Sequence, residues 1–279
     1  MTKHLFDQAL ELRAAGSGQP DTYTGTTSPA YWNMVGPFGG TTAATALQAV
    51  LQHPALLGEP VSLTVNYAAA TAEGAFTITA TPVRTNRSTQ HWMVSLSQRD
   101  ARGSETVAVT ATVMTALRRD TWHLNDMPMP GVPAPADLPR VQVKDTIEWF
   151  SRYDMRFSRG GIPAQWNGAD HLSPDSLTQL WVRDDPVRPL DFLSLTAMSD
   201  VFYPRIWLRR PLRVPAGTVS MTIYFHASGA QLAEAGTDYV LAQAGAQAFR
   251  HGFFDQSAQL WSETGILLVT STQLVYYKE

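Results

Sequence analysis

The stretch LDFLSLTAMSDVFYP, Leu190 to Pro204, carries a carboxylate close to its end, Asp200, among Leu, Phe, Met and Ala. Its apolar spacing reads as a buried helix ended by Pro204. On such a helix Asp200 shares a face with Leu193, Thr196 and Ala197. A buried carboxylate without partners is very costly, and a helix C-terminus is a mildly unfavourable place for negative charge. Two readings follow. Asp200 has partners and a task, with general-base chemistry the one a carboxylate performs best, or it turns outward where the helix frays into Pro204. The residues alone leave both open.

A second stretch, FGGTTAATALQAVLQH from Phe38 to His53, is apolar or small on nearly every face. A helix of that kind is buried all round. Gly39 and Gly40 stand at its N-terminus, where a missing Cβ lets another group approach the backbone closely.

Other chemistries are excluded or unsupported. The 279 residues contain no cysteine, which removes a disulfide framework, a thiolate metal site and a cysteine nucleophile. No G-x-S-x-G nucleophile turn is present, and GSGQP (Gly16 to Pro20) does not fit one. The seven histidines lack H-E-x-x-H or other ligand spacing, and neither a Walker loop nor G-x-G-x-x-G occurs, so no metal and no cofactor is expected. A net charge of −3 gives no basic field for nucleic acid. Asp7 and Glu11 interrupt any signal-peptide core, and Leu5, Phe6, Ala9, Leu10 and Leu12 suit a short amphipathic helix instead. No apolar run approaches the roughly 18 residues of a membrane span. A soluble, cytoplasmic protein is expected.

The elements that must hold Asp200 and the glycine pair come in two sets. Arg118 to Arg140 is proline-rich, denying helix and central strand, and reads as an extended linker between halves of similar size. A weak repeat spans it. VSLTVNYAAA (Val61 to Ala70) matches VSMTIYFHAS (Val219 to Ser228) in the pattern V-S-[LM]-T-[VI]. Each half closes with a strand–turn–strand signature, Trp92 to Ala116 and Asp255 to Tyr277, which aligns Gly103 with Gly265, Thr110 with Thr272 and Ala111 with Gln273. One buried helix followed by a long antiparallel meander, twice over, predicts an α+β fold in which each sheet wraps a single helix. The boundaries read as 1–117, a linker at 118–142, and 143–279.

One buried helix inside a curled antiparallel sheet resembles the hotdog fold. The tandem arrangement with a proline-bearing linker resembles the double-hotdog acyl-CoA thioesterases of the TesB (thioesterase II) type. The resemblance runs from about Leu5 to Gln273. It rests on GPFGGTTAATALQAV for the F-G-G opening of the first helix, and on NRSTQHWMVSLSQRDARGSE for a G-R-S strand and hairpin, with Asn86 in place of glycine. SDVFYP stands for S-D-x-x-F-x-P, and TVSMTIYFH and LLVTSTQ complete the set. It implies a hydrolytic site of Asp, Thr and Gln that together hold a water. Position by position these are Asp200, Thr218 and Gln273, with Thr222 as the fallback threonine on the same segment. It also implies an acyl-CoA substrate, and a homodimer or higher homo-oligomer is compatible with it.

In this reading Asp200 is the base toward water, Thr218 and Gln273 position it, and free N–H groups at the Gly39–Gly40 helix start receive the oxyanion. Close helix packing would equally call for those glycines, and Gln273 would equally suit the solvent face of an alternating strand. Arg205, Arg209, Arg210 and Arg213 read first as a solvated basic face and second as a site for coenzyme A phosphates. Trp32, Trp92 and Trp166 read as core before acyl-pocket lining. The alternatives to a thioesterase are a non-catalytic acyl-thioester-binding hotdog and a hotdog dehydratase or hydratase. The latter recruits a His–acid pair, and no histidine stands in a convincing motif beside Asp200.

Overall fold

The computed structural model describes residues 3–279 other than Ser17, Ala101, 143–146, Ala164 and 169–172. The expected start of the second half, at 143, lies outside the described residues. The chain opens with α1 (Leu5–Ala9), which buries Phe6 and Ala9 as its apolar spacing predicts. Two short strands, β1 (Arg13–Ala14) and β2 (Thr22–Thr26), lead to α2 (Gly39–Leu51). Then come β3 (Glu59–Tyr67), β4 (Ala75–Thr85), β5 (Thr89–Arg99) and β6 (Glu105–Ala116). The second half has β7 (Tyr153–Arg159), β8 (Thr178–Asp184), α3 (Phe192–Met198), α4 (Ile206–Arg209) and β9 (Ala216–Phe225). It closes with α5 (Gly229–Ala235), β10 (Val240–Gly245), β11 (Phe249–Arg250), β12 (Phe253–Ser262) and β13 (Leu267–Tyr277).

These strands form one antiparallel sheet in the order β1-β2-β4-β5-β6-β3-β9-β13-β12-β10-β8-β7, with β11 beside β12. Read outward from the centre, the two halves have matching order: β3, β6, β5, β4, β2 on one side and β9, β13, β12, β10, β8 on the other. The fold is a tandem hotdog, the two sheets fused edge to edge through β3 and β9. The repeated sequence motif lies at that seam. Leu63 pairs with Ile223, Thr64 with Thr222 and Val65 with Met221, so each motif runs against the other. Thr64 and Thr222, equivalent in the repeat, meet at the centre with their hydroxyls 3.1 Å apart. Arg118, entering the linker, secures the seam from outside. Its guanidinium donates to the carbonyls of Pro60 and Phe225 and pairs with Glu59.

The hairpin glycines behave as the turn chemistry requires. Gly103 and Gly265 have φ of +82° and +89°, a region costly for any other residue. One alignment shifts, however. Leu63 faces Val113 as Met221 faces Gln273, so the counterpart of Gln273 by strand register is Val113 rather than Ala111. The β5–β6 hairpin is longer than the β12–β13 hairpin, so matching the glycines displaces the strands. The consequence is unchanged: the first half has an apolar residue where the second has an amide.

Helix α2 is buried from Gly40 through Leu47 and again at Ala49 and Val50. Its Ala content favours helix, and the Thr42 and Thr45 hydroxyls bond back to the carbonyls of Phe38 and Thr41, which lets them enter the core. Small residues at its start allow α3 to approach: a Cβ on Gly40 would lie 2.5 Å from the carbonyl oxygen of Ala197. The helix expected over 190–204 is shorter. It is capped by Asp191, whose carboxylate accepts from the Ser194 N–H at 2.8 Å, and it stops at Met198. The Ser199 hydroxyl bonds back to the Leu195 carbonyl, and the Asp200 N–H tightens onto Ala197. Asp200 therefore stands in the turn beyond the helix, not on its Leu193–Thr196–Ala197 face.

The tight α2–α3 crossing gives a direct test. Gly40→Ala is expected to destabilise the fold by about 1–3 kcal/mol through overpacking against a backbone atom that cannot yield. Denaturant unfolding of both proteins measures it; an unchanged midpoint would mean that the helices can part at no cost.

Candidate active site

The turn after α3 delivers Asp200 to the N-terminus of α2. That is why the charge is tolerated. It lies at the unfavourable end of its own helix but at the favourable end of another, whose first N–H groups lack intrahelical acceptors. The Gly40 N–H bonds to its carboxyl group. Gly39 is what makes room, since a Cβ there would lie 2.7 Å from Oδ2 of Asp200. The hydroxyl of Tyr67, at the end of β3, donates to the Gly39 carbonyl at 2.8 Å and fixes the turn from the first half's sheet.

Gln273 reaches the same carboxylate from β13. Its Nε2 donates to Asp200 Oδ1 at 3.0 Å and lies 3.3 Å from the Ser199 carbonyl and 3.2 Å from the Met221 sulfur. Its Oε1 accepts from the Thr218 hydroxyl at 3.3 Å. Gln273 is buried, not on the solvent face of its strand. The three residues named from the resemblance thus form one chain of contacts, Thr218 to Gln273 to Asp200. Thr222 is elsewhere, engaged with Thr64 at the seam. The glycine pair is split in role. Gly39 lines the cavity, whereas Gly40 packs on α3 and has its N–H directed to Asp200.

Burial raises the Asp200 pKa to about 7; the bonds from Gln273 and Gly40 pull the other way without overcoming it. No cation among the described residues offsets the burial. The nearby Tyr67 hydroxyl is pushed well above its ordinary range, first by burial and then by the Asp200 charge. It therefore stays protonated and serves as a donor.

These groups open onto a cavity of about 620 Å³ between the halves. Its wall is largely aromatic and aliphatic, with Trp149, Phe150, Phe202, Trp207 and Phe254 prominent, and Asp200, Thr218 and Gln273 occupy one part of it. No histidine is among the described lining residues. Of the tryptophans singled out from sequence, Trp92 is core, Trp166 packs edge-on against Trp207 under Arg213, and Trp32 does not line the cavity. The lining tryptophans are Trp149 and Trp207, which no motif marked.

The arginine cluster is neither a solvated face nor an anion site as a unit. Arg205 is fully buried and bonds to the Tyr203 and Ser176 carbonyls and the Thr178 hydroxyl, with desolvation lowering its pKa to about 10. It ties the cavity-lining segment after Asp200 to β8. Arg210 pairs with Glu279, Arg209 reaches the Ser173 carbonyl, and Arg213 lies over the Trp166 ring. Sequence reasoning missed one further residue at this site, Tyr67. Tyr67 follows directly on the repeated strand motif, and that position was the available signal.

The double hotdog thus gathers an acid, an amide and a hydroxyl at one place in an apolar cavity. Residues 28–116 match the acyl-CoA thioesterase N-terminal domain and residues 130–277 the acyl-CoA thioesterase C-terminal domain. The chain belongs to the acyl-CoA thioesterase family and is a thioester hydrolase. Among solved structures it is similar to a conserved protein of unknown function with hot dog fold from Alicyclobacillus acidocaldarius, at 42% identity over 100% of this chain and 99% of that one, TM-score 0.90. A putative thioesterase II from Thermobifida fusca shares the fold at 20% identity over 98% and 97% of the chains, TM-score 0.78. So does the tesB protein of Mycobacterium avium subs. paratuberculosis, at 17% identity over 98% of both chains, TM-score 0.74. A search of curated proteins finds no match. No helix among the described residues is long and apolar enough to cross a membrane.

The raised pKa of Asp200 makes its ionisation a load on the fold. The native state holds the proton up to about pH 7, while the unfolded chain releases it near 3.8. Between those values the native state binds more protons, so this contribution to stability falls as pH rises and then levels off. Asp200→Asn removes the load, and the Gln273 amide can turn over to pair with the new one. The variant is expected to melt higher than the parent at pH 8 and to match it near pH 4. A variant equally stabilised at both values would show that Asp200 ionises without cost.

Proposed function

We propose that the protein hydrolyses an acyl-CoA thioester to free acid and CoA by direct attack of a water held at Asp200, Thr218 and Gln273. The observation that carries this reading is the contact chain Thr218–Gln273–Asp200 in the wall of the apolar cavity. As Asp200 takes a proton from the water, the water oxygen attacks the thioester carbon. The carbonyl π pair becomes an oxyanion, with the Gly39 N–H at the start of α2 as one available donor. Collapse breaks the carbon–sulfur bond, and the thiolate leaves as thiol with the proton from Asp200. No covalent acyl-enzyme forms.

A base with a pKa near the operating pH suits this step, being ionised yet still basic. Gln273 does two jobs: it holds one carboxylate oxygen, and it accepts the Thr218 hydroxyl, which fixes which way the amide faces. The apolar walls suit an acyl chain.

The reading predicts a pH profile and its loss. Native kcat/KM is expected to rise with unit slope and level off above about pH 7. Asp200→Asn is expected to lower kcat by about 10²- to 10⁴-fold and to flatten that limb. Thr218→Ala, which frees Gln273 and removes one of the groups holding the water but leaves the base, is expected to cost about tenfold. Thiol release from acyl-CoA substrates measures all three, and unchanged turnover in Asp200→Asn would reject the base.

A further inference from the structure

Buried glutamines in this fold are saturated, with one exception. Gln90, fully buried, accepts from the Leu57 N–H and donates to the Ala55 carbonyl and the Thr85 hydroxyl. Gln273 is equally occupied. Gln256, only 4% exposed, makes no hydrogen bond through its carboxamide among the described residues. It lies on β12 in an otherwise apolar row, with Phe254, Ala258 and Leu260 buried on the same face, and it lines the cavity. Its amide, with no protein partner among the described residues, faces the cavity.

Its position says where it acts. Gln256 is the cross-strand partner of Gln273 in the β12–β13 ladder. Directly opposed residues project to the same face, with Cβ atoms about 5 Å apart. Gln256 is therefore the immediate neighbour of the amide that holds Asp200. The donors around Asp200 are spent: Gln273 Nε2 and the Gly40 N–H on the carboxylate, Thr218 on Gln273, and Tyr67 on the Gly39 carbonyl. The Thr42 hydroxyl and the Trp207 indole N–H, which also line the cavity, are taken by the Phe38 and Val214 carbonyls. The Trp149 indole N–H is unpaired but sealed from solvent, its ring stacked on Phe38.

We infer that Gln256 is a further catalytic residue, its carboxamide N–H donating to the thioester carbonyl oxygen and to the oxyanion that replaces it during attack by water. The inference rests on the hydrolytic reading above and completes it: with the Gly40 N–H committed to Asp200, Gln256 and the Gly39 N–H form the donor pair. The Gln256 amide, facing the cavity without a protein partner among the described residues, is the group that a substrate oxygen meets.

Gln256→Met keeps the length and removes the donor. Steady-state thiol release across acyl-CoA chain lengths is expected to show kcat lower by about 10²- to 10³-fold, with KM within about threefold of native. The acid limb of the pH profile should persist, because Asp200 is untouched. The melting temperature should not fall, since the fold loses no hydrogen bond made by this amide among the described residues. A kcat within twofold of native, a loss confined to KM, or a fall in melting temperature that accounts for the lost activity would each overturn the assignment. Asp200→Asn in the same assay separates the two readings. Full activity there with an impaired Gln256→Met rejects the base and keeps the oxyanion donor; the reverse pattern rejects Gln256 alone.

Discussion

The arrangement depends on one carboxylate placed across two helix ends. Asp200 leaves the C-terminus of α3 and meets the N-terminus of α2, where the Gly40 N–H receives it. Each helix comes from a different half of the chain, so the contact exists only if both sheets have curled around their helices and fused in register. The fusion is set at the seam, where Thr64 meets Thr222. Closeness at the helix ends is set by the two glycines. One lacks a Cβ where the Ala197 carbonyl must sit, the other where the Asp200 carboxylate must sit. Larger side chains at either position would move the acid away from its donors.

Two halves of matching strand order have been put to unequal use. At the pair positions where the second half has Met221 opposite Gln273, the first has Leu63 opposite Val113. The first half contributes a helix start, the Tyr67 hydroxyl and part of the cavity wall. The second contributes the acid and the amides. Neither half alone holds a complete set, which gives a physical reason for the two units to remain on one chain: fusion fixes a heterologous pairing that separate copies would not distinguish.

Much of this was legible in the residues. The repeated V-S-[LM]-T-[VI] strands, the hairpin glycines and the all-round apolar character of Phe38 to His53 pointed to the sheet and its buried helix, because local periodicity and turn chemistry govern such elements. Asp200 stood out because a charge in an apolar stretch is expensive. What it was paired with was not legible from pattern. The helix after Leu190 was read as longer than it is, since apolar residues at 201–203 continue the pattern while packing in other directions. Arg205 was misread for a related reason. Clustered arginines look solvated in a sequence, and only the fold shows that Tyr203, Ser176 and Thr178 supply enough oxygens to bury one without a carboxylate.

Gln256 went unnoticed because alternation hides it. In DQSAQLWS a glutamine every third residue suggests a wet strand, and Gln259 is indeed part of a partly exposed amide row with Gln243 and Gln179 on the other face. Strand period two sends Gln256 the opposite way, into the cavity. The Gln256 and Asp200 side chains are both held in a low-dielectric wall by a rigid sheet, and both leave bonding capacity facing the space where a thioester would lie. Bonding capacity left open at two adjacent points is the physical signature of preorganisation. Under the proposed mechanism, donors and base already oriented in the cavity wall need no rearrangement when charge develops on the substrate. A fold optimised only for its own stability would have placed an amide at 200.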